Sequence, residues 1–267
     1  MILDQILQAK RKDLEELKRR FPVQRLRAAV EHAKPEDVRS FKKAVSGSHG
    51  IHLICEIKKA SPSQGVLIED FQPLRIAGIY EAGGAAAISV LTEPHFFKGR
   101  PSYLRTVRQV TRIPILRKDF ILESYQLYET ALLHADAFLL IASILTAEEL
   151  DRLIQLGKDL GMDALVEIHS DEDLDKAVAA GAEIIGINNR NLRTLEVDPF
   201  MAKKLIPRIP KGIPVIIESG ISRYEEIMEY KSIGINAFLV GTSLMKSADI
   251  AEKLASLSGR DQKWVRE

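Results

Sequence analysis

The sequence predicts a (β/α)8 barrel, an α/β fold, preceded by a helical extension. Three observations carry the prediction. Eight short apolar runs, at residues 51–58, 85–91, 113–117, 137–141, 164–168, 184–187, 213–217 and 237–240, alternate with stretches of helical periodicity. These runs are apolar on both faces, as strands of a parallel sheet covered by helices must be. A doubly wound open sheet also fits the alternation, but it carries a G-x-G-x-x-G turn after its first strand, where this chain reads KKASPSQG.

The elements follow in order. Residues 1–48 form the extension. Leu3, Ile6, Leu7, Leu14 and Leu17 keep helical spacing, interrupted by Lys10. Residues 10–27 are rich in Lys and Arg but include Asp13, Glu15 and Glu16, which favours a solvated amphipathic helix over a nucleic-acid arm. Pro22 and Pro35 divide the extension, and SGSHG at 46–50 makes the loop before the first strand. Residues 49–256 hold the eight strand–helix units, with no linker or low-complexity stretch between them, and 257–267 form a tail. Helix starts are marked by Thr146 with Glu149, Ser222 with Glu225, and more weakly Ser170 with Asp173. Leu160-Gly161 and Ala180-Gly181 are stops.

Composition narrows the function. Of the 267 residues 46% are hydrophobic and 28% charged, as in ordinary globular proteins. A net charge of +1 gives no reason to expect a nucleic-acid or acidic-membrane partner. Cys55 is the single cysteine, which excludes an intrachain disulfide. No apolar run approaches the length of a membrane span, and MILDQ is acidic too early for a secretory signal, so the expected compartment is the cytoplasm.

The chemistry gathers where strands end. In IHLICEIKKASPS, Ile54, Glu56 and Lys58 share one face, while Leu53, Cys55 and Ile57 share the other. A single Glu-x-Lys pair reads equally well as a structural ion pair or as part of a site. The other strand ends tip the balance: they deliver Lys118, Glu167, Asn188 with Arg190, and Glu218. Barrel enzymes take their reacting groups from these carboxyl ends, so three carboxylates and two lysines at one mouth favour an acid/base site. After the last two strands, Ser219-Gly220 and Gly241-Thr242 lead into helices. Such turns bring backbone N–H groups to an anion, and loops seven and eight are where barrels commonly hold phosphate. His49 and His52 lack company at metal-ligand spacing, and His169 follows Glu167 closely enough to orient it but reads first as a loop histidine. Cys55 reads as a small core residue, and Trp264 lies in a polar tail.

CEIKKASPSQG, PILRKDFI with its following YQ, LVEIH, IGINNRNL, IESGI and FLVGTSLM, in this order, resemble the indole-3-glycerol phosphate synthase family. IESGI alone would suit several phosphate-binding barrels; six motifs together are specific. The resemblance implies ring closure of 1-(2-carboxyphenylamino)-1-deoxyribulose 5-phosphate with loss of carbon dioxide and water, with no cofactor and no metal. It implies Lys118 as general acid, Glu167 as acid/base partner, and Lys58 holding the substrate carboxylate. Glu56, Asn188 and Glu218 would position the lysines, and Arg190 would meet substrate anions. Ser61, Ser219, Gly220, Gly241 and Thr242 would cradle the phosphate, and Phe97, Phe120, Leu139 and Leu192 would wall the aromatic ring. The expected partner is the small phosphorylated substrate alone, and the expected state a monomer. Two positions depart from the family: Arg100 stands where a small Ser is expected, and His134 where Gly is common. A sugar-phosphate isomerase of the same architecture would need an Asp or Cys pair at the first and fifth strand ends, and a non-catalytic anion binder would have lost the acid/base residues.

Overall fold

The structure, a computed structural model, describes residues 1–33 and 39–260. Pro35 and Trp264 lie outside the described residues. Three helices open the chain: α1 (Ile2–Arg20), α2 (Val23–His32) and α3 (Phe41–Val45). Pro22 separates the first two, as its fixed φ and missing N–H favour. The alternating region then runs β1 (His52–Ile57), a small hairpin of β2 (Ala60–Ser61) and β3 (Gly65–Val66), α4 (Pro73–Ala82), β4 (Ala87–Leu91) and α5 (Ser102–Arg108). It continues with β5 (Ile115–Lys118), α6 (Ser124–Leu132), β6 (Ala137–Ile141), α7 (Ala147–Asp159), β7 (Asp163–Ile168), α8 (Asp171–Ala179), β8 (Ile185–Asn188) and α9 (Phe200–Leu205). The last elements are β9 (Val215–Glu218), α10 (Tyr224–Lys231), β10 (Ala237–Val240), α11 (Thr242–Met245) and α12 (Ile250–Leu257).

Eight strands close into a parallel barrel in the order β1-β10-β9-β8-β7-β6-β5-β4, with β4 pairing back to β1. The hairpin stands apart from it. Because side chains alternate along a strand, Leu53, Cys55 and Ile57 face the helices, while Ile54 faces the axis. Burial pushes the Cys55 thiol well above its ordinary range, which leaves it inert as a nucleophile.

Inward positions of such barrels stack in layers of four, each layer drawn from alternate strands. Ile54, Leu116, Leu165 and Ile216, from β1, β5, β7 and β9, make one apolar layer. Above it lie Ser89, Leu139, Gly186 and Leu239 from the other four strands. The next layer, again from β1, β5, β7 and β9, is Glu56, Lys118, Glu167 and Glu218. The barrel core thus turns from wholly apolar to wholly charged in two steps along each of these strands.

The extension covers both ends. Phe41 and Val45 of α3 join the axial core. There the Lys42 N–H donates to Asp163, at the start of β7, over 2.8 Å. Leu3 and Ile6 of α1 join the same core from the opposite, carboxyl end.

Thr146 and Glu149 form the expected reciprocal cap of α7, and the Ser170 hydroxyl accepts the Asp173 N–H. The cap of α10 differs from expectation by one residue. Its N-cap is Arg223, and Glu226, not Glu225, reaches back to the Ser222 and Arg223 N–H groups. Lys10 also differs: expected to break the apolar spacing and to open a solvated stretch, it is itself buried on that face. Gly161 and Gly181 end α7 and α8 with positive φ, as Gly stops do.

The departure at His134 has a backbone meaning. His134 sits at φ 59, where a side chain crowds the carbonyl and Gly does not. Replacing His134 with Gly should therefore raise the unfolding free energy, by about 1 kcal/mol on the left-handed penalty. Urea unfolding of the two proteins checks this.

Candidate active site

The carboxyl end of the barrel opens into a cavity of about 160 Å3. Every site residue expected from the sequence lines it. The charged layer contributes Glu56, Lys118, Glu167 and Glu218; the strand ends and turns contribute Lys58, Asn188 and Arg190; Ser61, Phe97, Phe120, Leu139, Leu192, Ser219, Gly220, Gly241 and Thr242 complete the wall.

Lys118 is the centre of the charged layer. Its ammonium donates to Glu167 Oε2 over 2.9 Å and stands 3.0 Å from Glu218 Oε2. Burial alone would push its pKa down. The charges of Glu167, Glu218 and Glu56 outweigh burial and hold the ammonium protonated well above the ordinary lysine range. The two carboxylates move apart. Burial raises Glu167, but Lys118 and His169 outweigh it and hold the group low. Burial raises Glu218, and the negative Glu167 beside it adds to the rise, so Glu218 keeps a proton further up the pH scale despite Lys118. Such a split gives one site both a carboxylate base and a carboxylic acid.

Lys58 makes a second pair, 2.6 Å from Glu56 Oε2. Two glycines make room for these acids. A Cβ on Gly241 would overlap the Glu56 carboxylate, and one on Gly186 would overlap that of Glu218. Gly241 therefore serves the charged layer as well as the turn.

The loop after β8 explains Asn-Asn-Arg. Asn188 faces the cavity and accepts the Arg190 N–H over 3.0 Å. Asn189 points outward and bridges Ser219 O and the Tyr230 hydroxyl. Arg190 donates to Leu195 O over 2.6 Å, and burial draws its pKa down although Glu56 opposes this. Ser219 and Gly220 both have positive φ, 64° and 82°. The serine holds a conformation that L residues adopt at a cost.

The two aromatic residues of the wall, Phe97 and Phe120, touch each other with ring centroids 6.2 Å apart, tilted by 40°. Phe97 sits on a loop that the buried Glu93 organises, its carboxylate accepting the N–H groups of His95, Phe96 and Phe97 over 2.7 to 3.0 Å. Arg100 is exposed at the end of that loop, where its carbonyl accepts the Tyr103 N–H.

Sequence reasoning missed several residues here. Ile2, Leu3 and Ile6 of α1 roof the cavity; the family resemblance implies an extension on the substrate-covering side, and the spacing of Leu3 and Ile6 marks its apolar face, but neither names these residues as cavity lining. His169 is more than a loop histidine, since its Nε2 lies 3.4 Å from Glu167 Oε1. Its closeness to Glu167 in the sequence offered that orienting role, ranked there below the loop reading, although His169 lies just past the end of β7. Among the described residues, no three His, Cys, Asp or Glu side chains gather to hold a metal ion. No helix among them is long and apolar enough to cross a membrane.

A closed parallel barrel with an enclosed lysine and three carboxylates at its carboxyl mouth defines a (β/α)8 enzyme equipped for proton transfer. Solved barrels agree on the fold. A 3-hexulose-6-phosphate synthase from Salmonella typhimurium superposes with a TM-score of 0.64 at 14% identity, covering 80% of this chain and 99% of that one. An N-acetylmannosamine-6-phosphate 2-epimerase from Clostridium perfringens gives 0.60 at 18%, covering 87% and 99%. The family model described as "Indole-3-glycerol phosphate synthase" matches residues 3–257. Relatives of that name include one from Campylobacter jejuni, 46% identical over 259 residues and covering 96% of this chain and 100% of its own length. Another from Aliarcobacter butzleri is 45% identical over 256 residues, covering 95% and 97%. The chain belongs to the indole-3-glycerol phosphate synthase family, ring-closing and decarboxylating lyases of tryptophan biosynthesis.

Two outcomes follow from the site's geometry. Changing Gly241 to Ala should displace Glu56 and with it Lys58, lowering kcat/KM about 10- to 100-fold, the scale of a misplacement near 1 Å. Far-UV circular dichroism should remain that of the parent. Glu218 has its pKa raised in the folded state, so the stability that it contributes is full below pH 4.5 and is lost as the pH rises towards about 8. The unfolding free energy of Glu218→Gln should therefore gain on that of the parent across this window, which urea titrations at several pH values measure.

Proposed function

We propose that the cavity binds 1-(2-carboxyphenylamino)-1-deoxyribulose 5-phosphate and converts it to indole-3-glycerol phosphate by general acid/base catalysis. The aromatic ring packs against the wall made by Phe97, Phe120, Leu139 and Leu192. The phosphate lies on the turns at Ser219-Gly220 and Gly241-Thr242, with Ser61 beside it. Lys58 and Arg190 meet the substrate carboxylate and the other anionic groups.

With both ends held, the ring carbon that bears the carboxylate is set against the ketone carbon, which is positioning catalysis. As the carbon–carbon bond forms, the ketone oxygen gains negative charge and takes the Lys118 proton. Loss of carbon dioxide restores the aromatic ring. The new hydroxyl then leaves as water, with Glu167 moving the protons that leaving requires. Glu56, Asn188 and Glu218 keep the lysines and the substrate's polar groups in place. The reading has the protein act as a cytoplasmic monomer on a free small molecule.

The observation that supports this reading best is the Lys118 ammonium, within 3.0 Å of both Glu167 and Glu218 and facing an aromatic-walled cavity. The ammonium there carries the proton that the ketone oxygen needs; the carboxylates around it hold that proton tightly in the free enzyme, and the negative charge growing on the substrate oxygen draws it across. The isomerase reading finds Glu56 and Glu167 where it needs an Asp or Cys pair, and the anion-binder reading leaves the charged layer without a purpose.

Incubating the purified chain with the carboxyphenylamino deoxyribulose phosphate should produce indole absorbance and fluorescence. Lys118→Met should lower turnover roughly 10²–10⁴-fold, with less effect on KM. Lys118→Arg should recover little, because a guanidinium is a poor acid. Lys58→Met should raise KM, and Lys58→Arg should recover part of that loss through its charge. Near-normal turnover by Lys118→Arg would end the general-acid assignment.

A further inference from the structure

The helix that roofs the cavity also reaches beneath it. Lys10, on the third turn of α1, is buried and sets its ammonium 2.7 Å from Asp119 Oδ1. A lysine is almost never buried unless it is paired. Asp119 is itself enclosed and stands in sequence between Lys118 and Phe120. Its Oδ1 also accepts the Phe120 N–H over 2.8 Å. Its Oδ2 accepts the Thr92 hydroxyl over 2.6 Å and an Arg117 N–H over 3.0 Å. Burial raises the Asp119 pKa, but Lys10 and Arg117 outweigh it and hold the carboxyl ionised.

Arg117 is anchored independently. Buried beneath α6, it meets Glu129 at 2.8 Å and donates to Thr130 and to Gln126 O. One side of the Asp119 carboxylate is therefore tied to the barrel wall, and the other is tied only to Lys10 and to the Phe120 N–H. Asp13, one turn further along α1, meets His95 Nε2 at 2.9 Å, on the loop that carries Phe97. That pair is partly exposed and weak on general grounds, whereas the Lys10 pair is enclosed.

We propose that Lys10 is a positioning residue for the reaction: its ion pair with Asp119 sets the turn that places the Lys118 ammonium and the Phe120 ring. The inference rests on the acid role given to Lys118 above. Without Lys10, the Asp119 carboxylate swings towards Arg117 and takes the Phe120 N–H with it, and Lys118 is withdrawn from Glu167. Lys10 lines a separate cleft of about 340 Å3 between α1 and the barrel, so a longer guanidinium fits there.

The test compares the full chain with Lys10→Met, Lys10→Arg and, as a control on the same helix, Lys18→Met, which loses only an exposed pair with Glu123. Melting curves fix a temperature at which all four are folded, and kinetics are read there at saturating substrate. Lys10→Met should lower kcat about 10- to 100-fold, Lys10→Arg should recover most of it, and Lys18→Met should match the parent. Combined with Lys118→Met, Lys10→Met should cost a smaller factor than it does alone, since only the part acting through Phe120 remains. A Lys10→Met protein that melts earlier but keeps its kcat overturns the proposal. So does a loss that is the same factor with or without Lys118. A crystal structure of Lys10→Met decides without substrate: Lys118 displaced from Glu167 supports the proposal, and an unmoved turn overturns it. A parent chain that fails to turn over the substrate would sink the functional reading instead, and the crystal comparison would still judge Lys10.

Discussion

An ammonium enclosed among carboxylates holds together only where one rigid frame delivers every partner at the same height, because each charge left alone would be costly. The closed barrel is that frame. Glu56, Lys118, Glu167 and Glu218 come from alternate strands and form a single inward layer above two layers of smaller or apolar side chains. Strand register fixes the layer, and the hydrogen-bonded ring of strands fixes the register. The separated proton affinities of Glu167 and Glu218 follow from burial, which raises both, outweighed at Glu167 by Lys118 and His169 and reinforced at Glu218 by the charge of Glu167.

The extension completes that frame at both ends. Its third helix packs into the amino end of the axial core, where Asp163 receives the Lys42 N–H. Its first helix covers the carboxyl end with Ile2, Leu3 and Ile6 and sends Lys10 down to the residue after the central lysine. The same chain segment therefore excludes water from the charged layer and touches its support. Water exclusion strengthens each electrostatic contact inside the site.

Much of this was legible in the sequence. Eight apolar runs, their Gly-bearing stops and the Glu-x-Lys alternation in IHLICEIKK give the barrel and the inward face. The polar strand ends give the charged residues. What single-strand patterns do not carry is register between strands, so the grouping of four residues into one layer appeared only in the structure. Lys10 was misread because a lysine among leucines looks solvated until a partner is known, and Asp119 is 109 positions away. The cap of α10 slipped by one residue because Glu225 and Glu226 are chemically identical neighbours. His134 departs from a family glycine with no local pattern to show that the backbone there is left-handed.

The glycines at 186 and 241 are spaces shaped by the side chains opposite them. Each space and its occupant make a single heritable unit. A chain drifting under mutation cannot acquire even a methyl group at 241 without displacing Glu56, nor at 186 without displacing Glu218. It also gains nothing from a smaller residue at 56 or 218 unless the cavity so left is filled from the other side. Redirecting this barrel to another reaction is therefore easiest through paired replacements, 56 with 241 and 218 with 186, which a library randomising both members of a pair reaches in one step.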